Sequence, residues 1–157
     1  MKNLTTLIAF LAISNMVIGQ GIELTVTGNW AKNIAASDIN EAGNDYPASY
    51  ASNINQTLLT INPKNWNKII TVFVKRNDIA WNANLNLKVK RTSNGTNGNT
   101  NIAGGLSYQT ITNIDANFFT CAGYHTFIPL QYEITGISVV LPVQSYSTEI
   151  MYTVIQL

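Results

Sequence analysis

Trp81-Asn82-Ala83-Asn84-Leu85-Asn86-Leu87-Lys88-Val89-Lys90 alternates apolar and polar residues from end to end. A period of two sends successive side chains to opposite faces of an extended chain, so this stretch reads as a strand with one buried and one wet face. A slip of one residue in its pairing would turn Trp81, Ala83, Leu85, Leu87 and Val89 into water, so its register is strongly specified.

The same reading extends in both directions. Upstream, Lys68 to Lys75 sets Ile70, Val72 and Val74 against Ile69, Thr71 and Phe73, apolar on both faces, which predicts a central strand closed by Arg76, Asn77 and Asp78. Gln56 to Ile61 is a shorter strand, followed by a turn from Asn62 to Asn67. Ile22, Leu24, Val26 and Trp30 alternate with Glu23, Thr25, Thr27 and Asn29 as a first strand. Between these, Ala31 to Asn55 is rich in Ala, Ser, Asn and Asp and reads as loop with a short helical turn. Downstream, Asn94-Gly95 and Asn97-Gly98 favour tight turns of positive φ, a hairpin tip or a flexible loop. Leu106–Thr112, Phe127–Ile134, Ile137–Val143 and Tyr146–Ile155 read as further strands, with Asn113–Thr126 irregular. Short strands with no helical period predict an all-β protein, an antiparallel sandwich of about seven strands.

The chain opens with the zones of a secretory leader: Lys2, an apolar run from Leu4 to Ile13, and a small residue, Gly19, at which cleavage is expected. Residues 1–19 are thus a signal peptide and residues 20–157 one sandwich domain. The run is broken by Thr5, Thr6, Ser14 and Asn15 and falls short of the roughly 20 residues of a membrane span, so no stable membrane insertion is expected after cleavage. The localisation expected is secreted or cell surface, with the periplasm as transit in a double-membraned bacterium. Charged residues make up 11% of the chain, and without Lys2 the two signs balance, which leaves no basic field to collect nucleic acid. A single cysteine, Cys121, excludes an internal disulfide; it is either a small buried residue or a free thiol.

Chemistry-bearing groupings are sparse. Asp38, Asn40 and Gly43 begin like a calcium loop, but Ala42 and Ser49 stand where oxygen ligands are needed, so a polar turn is the better reading and no metal or cofactor is expected. Asp38, Glu41 and Asp45 are the one acidic cluster, in a loop where exposed acids are ordinary. His125, the sole histidine, lies four positions from Cys121, whereas a catalytic pair usually comes from distant segments. No enzyme is expected. Of the three tryptophans, Trp30 and Trp81 fall on buried faces by alternation, and Trp66, in a turn, is the candidate for stacking on a sugar. Asn55-Gln56-Thr57 and Asn94-Gly95-Thr96 are glycan acceptors in a eukaryotic secretory route only.

Gly136-Ile137-Ser138-Val139-Val140-Leu141-Pro142, followed by Tyr146-Ser147-Thr148-Glu149-Ile150-Met151-Tyr152-Thr153-Val154, resembles the last two strands of bacterial secreted sandwiches of the fimbrial-subunit and spore-coat-U-like kind. Ile22-Glu23-Leu24-Thr25-Val26-Thr27-Gly28 resembles their first strand. The resemblance implies an Ig-like fold with a structural or adhesive job, in which a strand of one subunit completes the sheet of another, with copies of itself or other surface subunits as partners. Ile22, Leu24, Val26 and Trp30 then mark the candidate strand-exchange segment, which otherwise docks as the first strand of its own domain. The expectation is an exported, non-enzymatic surface or extracellular structural protein; the alternative is a secreted carbohydrate-binding module that takes glycans through Trp66.

Overall fold

The computed structural model describes residues 5–12, 21–39, 41, 43–63, 65, 67–96 and 102–156, with backbone alone for residues 5–12. Twelve strands appear in chain order among them: β1 (Thr5–Ala12), β2 (Ile22–Thr27), β3 (Trp30–Ala35), β4 (Ser49–Ala51), β5 (Thr57–Pro63), β6 (Ile69–Ala80), β7 (Asn86–Arg91), β8 (Ile102–Gly104), β9 (Gln109–Thr110), β10 (Ala116–Ala122), β11 (His125–Thr135) and β12 (Tyr146–Gln156). The one helical element is a 3₁₀ turn, Ala36–Asp38. Eleven strands from residue 22 onward replace the expected seven or so, because several are only two or three residues long.

The strands form two sheets, ordered β3-β1-β12-β6-β10-β8 and β2-β5-β11-β7-β9, with β4 added on β11. Every pairing is antiparallel except that of β1 with β12. The inner faces meet in one core. Ile70, Val72 and Val74 of β6 with Ile150 and Tyr152 of β12 lie on one side; Leu59 and Ile61 of β5, Leu87 and Val89 of β7, and Leu130, Tyr132 and Ile134 of β11 lie on the other. Trp30 stacks on Tyr132 across the layers, centroids 6.4 Å apart and planes 13° apart. The Tyr132 and Tyr152 hydroxyls meet at 3.0 Å between the sheets, so both buried phenols share a hydrogen bond, and burial pushes both pKa values up.

Crossing from one sheet to the other early in the chain depends on Gly28, at φ +108, where a Cβ would press on the Gln56 carbonyl. The Gln56 side-chain amide donates to the Asn29 carbonyl at 2.5 Å and fixes the same corner.

Five local expectations change. The stretch that opened the sequence reading is extended only from Asn86: the Asn82 side chain accepts from the Asn84 N–H at 2.9 Å, and the Leu85 N–H donates to the Asn82 carbonyl at 3.0 Å. An asparagine that bonds its own backbone offers the chain a turn in place of a ladder. Trp81 therefore sits half-buried at the rim of the core, donating from Nε1 to the Leu85 carbonyl at 3.1 Å with Arg76 over its ring. The segment read as irregular contains β10, where Phe118 and Phe119 are both buried because the register with β6 shifts between Asn117 and Phe119. A bulge places neighbours on one face, which erases the period of two. Ile137–Val143 is a loop despite its β-branched composition, with Ile137 and Leu141 packed against the core and Val139, Val140 and Val143 exposed, and Leu106–Thr112 contributes only Gln109–Thr110 as strand. Within Ala31–Asn55, read as loop, residues 31–35 belong to β3 and Ser49–Ala51 is a strand.

Candidate functional site

The edge of the first sheet is built from three strands that are far apart in sequence. β3 runs antiparallel to β1, with Thr6 opposite Ile34, Ile8 opposite Lys32 and Phe10 opposite Trp30. β1 runs parallel to β12, with Ile8 opposite Tyr146, Phe10 opposite Thr148 and Ala12 opposite Ile150. β3 is the outermost strand, so β1 is its one ladder partner among the described residues. Two ladder steps of roughly 4.8 Å separate β3 from β12, a gap one strand wide.

The flanks of this position are largely buried on the inner side, with Lys32 half-buried between Trp30 and Ile34 in the register. Trp30, Ile34, Tyr146, Thr148 and Ile150 are all buried, and all occupy the face that the register gives to Thr6, Ile8, Phe10 and Ala12. Polar groups on the β12 side are satisfied within the protein: the Thr148 hydroxyl reaches the Asn77 carbonyl and the Asp78 carboxylate, each at 3.0 Å, and the Tyr146 hydroxyl donates to the Pro142 carbonyl at 2.6 Å. What the position offers an incoming strand is backbone. Beyond Ile150, Met151 to Gln156 has no ladder on the β1 side among the described residues, which prolongs the β12 edge.

The residues of β1 are those that the sequence assigns to the leader. Gly19, at which the cut is expected, lies outside the described residues.

The other candidates are placed as follows. Ile22, Leu24 and Val26 are buried on β2, which pairs with β5 over six residues from Ile22–Pro63 to Thr27–Leu58. Trp30 is buried at the head of β3, beside β1. The four residues therefore divide between two sheets. Trp66 lies outside the described residues. In the acidic cluster, Asp38 accepts from the Tyr50 hydroxyl at 3.3 Å, and Asp45 accepts from the Ser138 hydroxyl at 2.6 Å and from the Tyr46 and Val139 N–H groups at 2.8 Å. Those donors, Ser138 foremost, hold the Asp45 pKa below its usual value and pin the Ile137–Val143 loop. Asn40 and Ala42 of the same loop lie outside the described residues, and the described residues contain no cluster of three or more metal-ligating side chains.

Cys121 and His125 are both buried. Burial pushes the thiol up to about 12, against the opposing pull of the Arg91 charge, so the sulfur stays protonated and is a poor nucleophile. Burial likewise lowers the His125 pKa, the nearby Arg91 acts in the same direction, and Nε2 lies 3.1 Å from the Ala122 carbonyl. Arg91 itself was not legible as an interior residue. It continues the inward series Leu87, Val89 and lies 2% exposed. Its Nε donates to the Gly104 carbonyl at 2.5 Å and its Nη1 to the Asn94 side-chain oxygen at 2.5 Å, which clamps β8 and the Ser93–Thr96 turn to the core. The alternation of the preceding strand is the signal that points to it.

No protein-family model matches the chain, and no curated protein matches it. Among the described residues no helix is long and apolar enough to cross a membrane.

Proposed function

We propose that this chain is an exported, non-enzymatic surface or extracellular structural protein, fimbria-like or adhesive, whose domain is completed by a strand from a partner. The observation that carries the reading is the place of β1. Residues 5–12 have the composition of a cleaved leader, yet they supply the strand between β3 and β12. Cleavage after Gly19 removes that strand and leaves two facing strand edges, each a row of unpaired N–H and C=O groups over an apolar floor. Exposed edges of this kind recruit another extended chain, since main-chain hydrogen bonds supply affinity and alternate side chains supply fit. The position is long enough for five ladder pairs on β12 and six on β3. Such a device joins proteins and needs no catalytic group.

The test is to express the full chain with its own leader in a bacterial host, then sequence the amino terminus and fractionate the cells. The expected product begins at about Gln20, lies outside the inner membrane, and is recovered bound to another polypeptide. A chain that keeps residues 5–12 in place and stays in the cytosol overturns the proposal.

A further inference from the structure

We propose that the first sheet carries a binding cleft for a neutral sugar, on the side of β6 that β10 leaves uncovered. The inference goes beyond the reading above and does not rest on it, since β6, β10 and β12 pair with one another without β1. It is also distinct from a site at Trp66, which lies outside the described residues. The cleft exists because two paired strands end at different places. β6 runs on to Ala80, while its ladder with β10 stops at the pair of Val74 with Ala116. A regular continuation would set Ile114 opposite Arg76; instead the Arg76 N–H donates to the Thr112 carbonyl at 2.8 Å, which leaves slack in the exposed residues Asn113, Ile114 and Asp115. Beside this slack lies an open cleft of about 560 Å³, lined by Lys75, Arg76, Asn77, Asp78, Asn113 and Met151.

The charges at the cleft are already matched. Lys75 Nζ lies 2.8 Å from the Asp115 carboxylate, and Arg76 Nη1 lies 2.5 Å from Asp78 Oδ1. Arg76 Nε donates to the Ile111 carbonyl at 3.1 Å and its guanidinium lies 5.1 Å over the Trp81 ring, so this group is fixed from several sides. A phosphate or an ammonium group would have to break an ion pair to be held. Glu149, which accepts from Asn77 Nδ2 at 3.3 Å, adds a negative charge against anions. What the cleft has left to offer is mostly neutral: Asn77 Oδ1 and the Asn113 amide, which makes no side-chain hydrogen bond among the described residues. An amide presents donor and acceptor on one planar group, and a sugar hydroxyl is both at once. Met151 adds a half-buried, polarizable surface for the C–H face of a pyranose ring. Side chains already held by ion pairs lose little freedom when a ligand arrives, which favours binding in so open a cleft.

The experiment follows the amide NMR shifts of the isotope-labelled full chain during titration with methyl α-mannoside, methyl α-glucoside, methyl β-galactoside and methyl N-acetyl-β-glucosaminide, and separately with inorganic phosphate. Expected are saturable shifts with at least one glycoside, centred on Lys75–Asp78, Asn113 and Met151, and none there with phosphate. Asn113→Ala, at an exposed position, should weaken that glycoside about tenfold, the worth of one or two hydrogen bonds. Asn77→Ala is the second variant, and Thr25→Ala, exposed on β2 of the other sheet, should leave binding unchanged. Shifts with none of the four glycosides would overturn the proposal. So would phosphate moving the same amides, or glycoside binding that both asparagine variants leave intact.

Discussion

The two sheets differ in how much of each is supplied by residues 20–157. In the second sheet, β11 is flanked by β5 and β7, with β4 added at its far end, and β2 closes on β5; every ladder joins residues beyond position 21. In the first sheet, β12, β6 and β10 are joined in the same way, but β3 reaches the rest only through β1. Both sheets bury their inner faces in one core, so the asymmetry is one of backbone pairing and not of hydrophobicity.

The sharpest way to break the comparison is a pair of truncations measured with the leader present and after its removal. Trp30→Ala in the full chain should cost about 3–5 kcal/mol and Leu130→Ala about 2–5 kcal/mol, both read by denaturant unfolding. Once the leader is gone, the Leu130→Ala loss should persist, because β11 keeps its neighbours, and the Trp30→Ala loss should shrink, because β3 is already unpaired. Equal losses in both forms would mean that β3 finds another partner and that the sheets do not differ.

An intermediate effect comes from acid. His125 is buried with its pKa lowered from 6.5, so below about pH 6.5 the unfolded chain takes a proton that the native chain refuses. Stability is full above that pH and falls as the pH drops toward the folded value. Tm should therefore decline between pH 7.5 and 5, a range above the ordinary carboxylate titrations, and His125→Asn should flatten the decline. Because His125 heads β11 in the self-sufficient sheet, the decline should be the same with and without the leader. A leader-dependent decline would tie this corner to the β3 edge.

The smallest expected effect sharpens the link between the sheets. Tyr152→Phe removes one of the two hydroxyls that meet in the core and should cost about 1 kcal/mol by thermal unfolding, in either form of the protein. A loss confined to the full chain would show that the inter-sheet contact loosens with the leader strand.

Much of this was legible in the sequence and some was not, for reasons that attach to particular residues. Strands whose two faces meet different media announce themselves, as β2 and β12 do, because burial imposes the period directly. β10 was hidden by its bulge, and the start of β7 by Asn82 bonding its own backbone. The Ile137–Val143 run has strand composition without a ladder partner among the described residues, and β propensity describes fit to a half-buried surface more than an intrinsic preference. Arg91 was obscured by its charge, since a guanidinium is rarely interior unless carbonyls surround it.

By itself, the sequence determined that this is an all-β chain with an apolar opening run and a single cysteine that leaves no internal disulfide to make. Alternation, charge and cysteine count are local or additive properties, and they can be read without knowing which strands meet. Only the tertiary structure decided that residues 5–12 lie between β3 and β12, so that the apolar opening run is a sheet element. Strand order arises from hydrogen bonds between segments more than a hundred residues apart, such as Ile8 with Tyr146, and no local pattern records which edge a segment will find.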